Sequence, residues 1–566
     1  MTYLVGEPLD FAADSLAGFV AAHSDLVQAV HGGVVRADAS PQGEVAVVVG
    51  GGSGHYPAFA GWVGPGMAHA AVCGNIFASP SDSQVVSVSR AADNGGGVLL
   101  LFGNYAGDCL QFGKGAEVLN AEGIATRIET ITDDVASRPV EQWAERRGIA
   151  GDFFVVKIAG AAAAAGYDLD GLVEATRRAN AATKTLGIAF DAPTLPGAAE
   201  PLFTVPEGHY ELGLGIHGEP GLSSHPLSGV DDIAKTLVEG LLAEKPADAR
   251  RVGVLVNGLG CTKYEEMFVL YGRVARLLEA AGLQIVVPIV DEQVTSLDMA
   301  GVSLSVCFLD DELEKLLLAP ALTPAYTRGA VEHGGPRREV STEESAELAA
   351  GSPESAAQGA RLATIVALMA ETAVADADFL GRLDSIAGDG DHGQGMVLGS
   401  RAAAKAAAVA SDAGAGAATV LKQAGLAWAE GAGGTSGALW GRALEAVGAG
   451  LSDDAAADAA TVIAAVAAGA ESVAASGGAV PGDKTMVDAT TPFAVALRDA
   501  GDDLPGAFAT AARAATDGAE ATKDLVARKG RATTHGDASL GHPDPGAISF
   551  ARHMTRIAEY LADHQA

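Results

Sequence analysis

Val45-Ala46-Val47-Val48-Val49 runs directly into Gly50-Gly51-Gly52-Ser53-Gly54-His55. A short valine-rich run reads as a buried strand, and the glycines behind it as a loop at its carboxyl end. Val98-Leu99-Leu100-Leu101-Phe102 repeats the arrangement, leading into Gly103-Asn104-Tyr105-Ala106-Gly107-Asp108. Further apolar runs at 153–158, 252–256 and 285–290, spaced by helical stretches, carry the pattern to about residue 330. Alternation of this kind predicts α/β layers. Ligands of α/β sheets bind beyond the carboxyl ends of strands, so both glycine loops fall where a site belongs.

Beyond this region the pattern changes. Residues 329–355 contain Gly334-Gly335-Pro336 and clustered charges with little apolar periodicity, and read as a linker between a domain at 1–328 and one at 356–566. Long alanine-rich amphipathic stretches follow at 356–380, 399–430, 437–451, 454–475, 487–500, 504–528 and 546–564. They predict an all-α second domain, with glycine-rich loops at helix ends where backbone N–H groups bind anions. A chain of 566 residues exceeds what one core serves, which agrees with the division.

Composition narrows the function. The net charge of −34 opposes docking to nucleic acid or to an anionic membrane, and it repels anionic substrates. Phosphate chemistry on such a chain calls for a bound cation. No uninterrupted apolar run approaches the roughly 20 residues of a membrane span, and the first residues lack the pattern of a secretory signal. Cys73, Cys109, Cys261 and Cys307 form no CxxC pair and read as buried free thiols in a reducing compartment. A cytoplasmic protein is expected.

Leu383-Asp384-Ser385-Ile386-Ala387-Gly388-Asp389-Gly390-Asp391-His392-Gly393 is the strongest candidate for the cation. Its three carboxylates are hard ligands suited to Mg²⁺, and its glycines let backbone N–H groups approach a phosphate. A solvated acidic turn is the alternative reading. Gly433-Gly434-Thr435-Ser436-Gly437 and Gly482-Asp483-Lys484-Thr485-Met486 offer further phosphate donors, although no Walker A loop occurs. In the first half His55, Asp108 and the glycine-flanked His217 of Gly213-Leu214-Gly215-Ile216-His217-Gly218-Glu219-Pro220 are titratable groups in probable site loops.

These motifs together resemble the single-chain dihydroxyacetone kinases over essentially the whole chain. The resemblance rests on GGGSGH (50–55), NYAGD (104–108), IHGEPG (216–221), TSLDMAG (295–301), LDSIAGDGDHG (383–393), GGTSG (433–437), GDKTM (482–486) and GHPDPGA (541–547), in order and spacing. It implies a ketose-binding α/β module of two α/β subdomains followed by an all-α helical-barrel module for ATP and Mg²⁺. His217 would attack the ketone carbon to give a hemiaminal, with His55 assisting proton transfer and Asp108 accepting the proton of the attacking hydroxyl. Gly52, Ser53 and Gly54 would complete the substrate site. Asp384, Asp389 and Asp391 match the magnesium ligands. His392, Gly393, Gln394, Gly395, Thr435, Ser436, Gly477, Met486, Arg531, Asp544, Pro545 and Gly546 match the nucleotide site. A homodimer is implied as well, with a linker long enough to permit exchange of helical domains. Rival readings within the same motifs are a phosphoenolpyruvate-linked phosphotransferase, a flavin-dinucleotide cyclase or lyase, and a ketose sensor without catalysis.

The chain departs from the family pattern at three places. Gly103 stands where many members carry a lysine beside the triose, Tyr56 follows GGGSGH in place of glutamate, and 533–538 differs from the usual stretch. Loss of a long cationic side chain predicts an enlarged pocket and acceptance of a tetrulose such as erythrulose.

Overall fold

The structure is a computed structural model that describes residues 6–219, 221–329, 348–501, 503–529 and 539–564. The chain divides into two compact units, Met1–Pro336 and Arg337–Ala566. Most of the expected linker, together with Arg531 and 533–538, lies outside the described residues.

In the first unit α1 (Phe11–Ala22) precedes a mixed sheet of β1 (Val27–Val30), β2 (Gly33–Arg36), β3 (Ala46–Ser53), β4 (Ala70–Ile76), β5 (Val98–Gly103) and β6 (Thr126–Ile131). Their order is β1-β2-β4-β3-β5-β6, and the valine-rich β3 runs parallel to both of its neighbours. Alternate residues of β3 and β5 enter two different cores. Val48 and Leu100 meet Val85 of α2 (Asp82–Ala92) and Phe112 of α3 (Ala106–Ala121), while Val47, Val49, Leu99 and Leu101 meet Phe153 of α4 (Asp152–Ala164) and Leu172 of α5 (Leu169–Ala182). A strand covered on both faces needs apolar side chains at every position, which is why these runs show no polar alternation.

The run at 153–158 lies inside α4 and is not a strand. Every residue from Asp152 to Ala163 is buried, so the helix has no polar face to reveal its period. A six-residue apolar segment of such a helix is indistinguishable from a strand by pattern, and the alanines that continue it carry the helical signal.

A second sheet comprises β7 (Thr183–Asp191), β8 (His209–Leu212), β9 (Ser223–Pro226), β10 (Arg251–Gly258), β11 (Gln284–Asp291) and β12 (Ala300–Leu309), in the order β11-β10-β12-β7-β8-β9. It is antiparallel apart from the β10–β11 pair. Its outer core is closed by α6 (Val230–Leu242) and α7 (Tyr264–Ala280) through Leu237, Leu241, Leu270 and Val274. α8 (Asp311–Leu318) follows β12, and His217 sits in the connection between β8 and β9.

The described residues of the second unit form eight helices: α9 (Pro353–Asp384), α10 (His392–Asp412), α11 (Ala417–Ala432), α12 (Gly434–Ala449), α13 (Ala459–Gly477), α14 (Val487–Asp499), α15 (Leu504–Ala521) and α16 (Pro545–Asp563). Each packs on the next, and α16 packs back on α9, which closes a barrel. The stretch 399–430 is two helices, broken at Gly414 with φ 75° in the left-handed region that ends helices cheaply only at glycine. Small residues bring the helices close. A Cβ on Gly425 would stand 2.7 Å from the Gly441 carbonyl oxygen, and one on Gly441 equally near that of Gly425. Ser352, Asp458 and Asp544 cap α9, α13 and α16 by accepting from Ser355, Thr461 and Ala547 backbone N–H groups. By length and composition α13 alone among the described helices is apolar enough to cross a membrane, with a mean hydropathy of 1.5, and its Ile463, Ala467, Ala470 and Val473 pack into the barrel core. Cys307 is buried as expected, Cys73 and Cys109 are half-buried, and Cys261 is exposed because it lies in the turn after β10.

Candidate active site

The first unit brings His55, after β3, to His217, after β8, with their Nε2 atoms 3.1 Å apart. His55 is buried, and its Nδ1 lies 2.8 Å from the Thr295 carbonyl oxygen. A carbonyl only accepts, so the His55 proton is on Nδ1 and its Nε2 is an acceptor. Burial, followed by the neighbouring His217, holds His55 at about 3, so the ring is neutral. One proton therefore lies between the two Nε2 atoms, on the His217 side.

The other nitrogen of His217 faces Glu219. Nδ1 donates to Oε1 at 3.0 Å and the His217 backbone N–H donates to Oε2 at 3.0 Å. Burial opposes ionisation of Glu219, but the hydrogen bond and charge of His217, backed by Arg147, hold its carboxyl down at about 2. Arg147 itself is fixed by Asp134, with Nε at 3.0 Å and Nη2 at 2.7 Å from Oδ2. Gly215 is required here, since a Cβ on it would overlap Glu219 Oε2 and stand 2.6 Å from Arg147 Nη1. Glu219 joins the expected site residues, and its sequence signal is a carboxylate two residues after a glycine-flanked histidine.

Aromatic rings wall the pair. Phe77 stacks on His55 at 4.9 Å, and Tyr105 meets His217 edge-on at 4.7 Å with its hydroxyl donating to the Gly148 carbonyl oxygen at 2.9 Å. Asp108 lies in the first turn of α3, where the helix dipole favours a carboxylate. Burial nevertheless pushes it up to about 6, against the hydrogen bond from Ser79 and the charge of His217. Gly107 leaves Ser79 the room for that bond, because a Cβ there would come 2.5 Å from Ser79 Oγ. Asp108 Oδ1 is buried with no hydrogen-bond partner.

Gly52, Ser53 and Gly54 support this arrangement from behind. A Cβ on Gly52 would stand 2.7 Å from the Ala78 nitrogen and one on Gly54 2.9 Å from the Phe77 ring, while the Ser53 hydroxyl donates to Gly74 at 2.7 Å. The glycines thus let the Phe77 segment close on His55, and the Ser53 hydroxyl is spent on the backbone. Gly103 does not leave an open pocket of its own. A Cβ there would meet the Tyr105 ring at 3.0 Å and the Gly148 carbonyl oxygen at 3.4 Å, so part of the space expected from the missing lysine is occupied.

In the second unit one oxygen each of Asp384, Asp389 and Asp391 lies within 4.8 Å of the others. Three hard donors converging in this way fit Mg²⁺, which takes few protein carboxylates and fills its remaining positions with water and phosphate. They line a cavity of about 760 Å³ with His392, Gln394 and Gly395 at the start of α10 and Thr435 and Ser436 at the start of α12. Gly477, Met486, Asp544, Pro545 and Gly546 complete the expected set along its wall. Gly433 and Gly434 adopt φ 60° and 58° with open space where a Cβ would stand, a cradle suited to phosphate oxygens. Gly393 is absent from the lining: it faces α9, where a Cβ would overlap the Ala377 carbonyl oxygen.

Lys484, in the wall of this cavity, is held by backbone carbonyl groups. Its Nζ donates to the carbonyl oxygens of Leu525, Ser539 and His542 at 3.1, 2.6 and 2.8 Å, from a left-handed backbone of φ 61°. Three acceptors fill an ammonium group, so Lys484 ties the chain on either side of 530–538 to the cavity wall.

Comparison with known proteins agrees across both units. Residues 17–325 match the Dak1 domain and residues 386–559 the DAK2 domain. The L-erythrulose 1-kinase of Mycolicibacterium smegmatis is 53% identical over 99% of this chain and 100% of its own length. The D-erythrulose kinase of the same organism is 52% identical over 99% of this chain and 98% of its own. Among solved structures, the dihydroxyacetone kinase of C. freundii in complex with AMP-PNP and Mg²⁺ is similar with a TM-score of 0.59 and 31% identity, over 99% of each chain.

Proposed function

The chain belongs to the single-chain, ATP-dependent dihydroxyacetone and erythrulose kinase family, and we propose that it phosphorylates a terminal hydroxyl of a short ketose held covalently on His217. The reaction class is ATP-dependent phosphoryl transfer to that ketose. The observation that carries the covalent step is the line Thr295–His55–His217–Glu219, in which each nitrogen has one defined partner.

Along that line the chemistry balances. Nε2 of His217 passes its proton to Nε2 of His55 and with the freed lone pair bonds to the carbonyl carbon, the π electrons pass to the carbonyl oxygen, and His55 gives the proton to that oxygen. The product is a tetrahedral carbon bearing a hydroxyl and an imidazolium ring, whose positive charge faces the Glu219 carboxylate. Only a carbonyl compound can be held in this way, so polyols are rejected. Once the ketose is held, its primary hydroxyl is an effectively intramolecular nucleophile, and Asp108 Oδ1 accepts its proton as the oxygen bonds to the terminal phosphorus of ATP and the bond from that phosphorus to the departing ADP breaks.

Asp384, Asp389 and Asp391 would hold Mg²⁺, which neutralises phosphate charge during transfer. His392, Gln394, Gly395, Thr435 and Ser436 offer donors to the nucleotide, with the helix N-termini supplying backbone N–H groups. Two relatives above half identity are erythrulose kinases, which supports a tetrulose as the preferred acceptor. A cytoplasmic homodimer completes the proposal, and light scattering on the purified chain tests the assembly. The activity is tested by incubating purified protein with ATP, Mg²⁺ and a panel of ketoses. Formation of ketose phosphate by wild type and its loss in His217→Ala support the reading; turnover that survives the substitution refutes the covalent step.

A further inference from the structure

Asp152 is the first residue of α4 and is 2% exposed. Its Oδ1 is buried without a hydrogen-bond partner, as is Oδ1 of Asp108. The nearby Asp133, in contrast, accepts the Ile149 and Gly151 backbone N–H groups at 2.8 Å each. An orphaned buried carboxyl oxygen is rare in a native protein and calls for a partner the chain does not supply.

The position of Asp152 indicates which partner. Its Oδ1 lies 2.8 Å from where a Cβ on Gly148 would stand, and that same point is 2.6 Å from the Gly103 Cα. Gly103 ends β5, and the residues that follow it carry Tyr105 against His217 and then Asp108. Asp152 therefore sits beside the floor of the ketose site, at the point where this chain has no side chain on residue 103 or residue 148. The ligand of that site is rich in hydroxyl groups.

We infer that Asp152 is a specificity-determining residue that hydrogen-bonds the hydroxyl on the fourth carbon of a tetrulose, a group that a triose lacks. The inference rests on the ketose-kinase reading above and deepens it. Burial, followed by Asp133 and Asp108, raises the Asp152 carboxyl well above the ordinary range. A site built to satisfy one hydroxyl discriminates strongly against an analogue without it, because the buried partner is then left unpaired.

The test compares kcat/KM for erythrulose, for its 4-deoxy analogue 1,3-dihydroxybutan-2-one and for dihydroxyacetone. Wild type, Asp152→Ala and Asp152→Val are measured as the full chain. The readout is the ratio of erythrulose to the 4-deoxy analogue, which is independent of the fraction of active enzyme, and the valine variant keeps the volume of the buried site. We expect the ratio to fall by about fivefold or more in both variants, as loss of a hydroxyl partner requires. A smaller change in either folded variant, or a wild type that phosphorylates dihydroxyacetone but no tetrulose, overturns the assignment of Asp152. A wild type inactive on every ketose overturns the kinase reading instead.

Discussion

The Nε2 atoms of His55 and His217 lie 3.1 Å apart although 162 residues separate them in the chain. The contact joins the two sheets of the first unit, one histidine following a parallel strand and the other a connection between short antiparallel strands. Because Thr295 fixes the His55 tautomer, the proton shared by the pair has one destination when a carbonyl arrives. His55→Ala should lower kcat/KM for ketose by roughly 10²-fold or more, in the range of a lost general acid–base catalyst. Stopped-flow measurement of ketose binding should locate the loss in adduct formation.

Glu219→Gln keeps the shape of the His217 partner and removes its charge. The imidazolium of the His217 adduct then has no counter-charge, and kcat/KM should fall by about 10- to 100-fold, with unchanged KM for ATP. Steady-state kinetics with each substrate varied in turn checks this; an equal loss in both KM values would mean general damage.

Asp108 has its carboxyl raised to about 6, so the base form required for proton acceptance is lost as pH falls below that value. The kcat/KM profile should therefore show an acid limb near pH 6, and Asp108→Asn should abolish activity. The same shift makes a stability claim. A carboxyl whose folded value lies above its unfolded one favours folding at low pH and loses that contribution as pH rises through about 6. At pH 7.5 the asparagine variant should melt above wild type, which differential scanning calorimetry reads.

Asp384, Asp389 and Asp391 share their cation in the proposed function, so replacing any one by asparagine should raise the Mg²⁺ needed for half-maximal rate by roughly 10- to 100-fold. Titration of the rate with Mg²⁺ after treatment with a chelator gives the number. Ketose binding to the first unit should be unaffected.

Lys484→Met leaves the carbonyl oxygens of Leu525, Ser539 and His542 without their donor. The cost should be on the order of 2 kcal/mol in stability, with a raised KM for ATP. Chemical denaturation followed by helix signal, with ATP kinetics at the same temperature, tests both.

What could be read in the chain follows from how local the signal was. β3 and β5 are legible because strands buried on both faces are uniformly apolar, and the alanine-rich helices because long alanine-rich runs favour the helix over the strand. α4 hid because it is buried all round. The metal loop was legible because Asp384, Asp389 and Asp391 are neighbours in sequence, whereas the grouping of His55, Asp108 and His217 needed the resemblance. The role of Lys484 was not legible, because the three carbonyls that hold it lie 41 to 58 residues away. Asp152 gave no local sign at all, since an acid ahead of an apolar run is the ordinary start of a helix.

The covalent step can be observed without turnover. Purified protein mixed with dihydroxyacetone labelled with ¹³C at the carbonyl carbon, in the absence of ATP, should give a protein-bound tetrahedral ¹³C resonance in wild type that disappears in His217→Ala. A bound ligand that keeps its ketone resonance in wild type, or a tetrahedral resonance that persists in His217→Ala, would contradict attachment to His217.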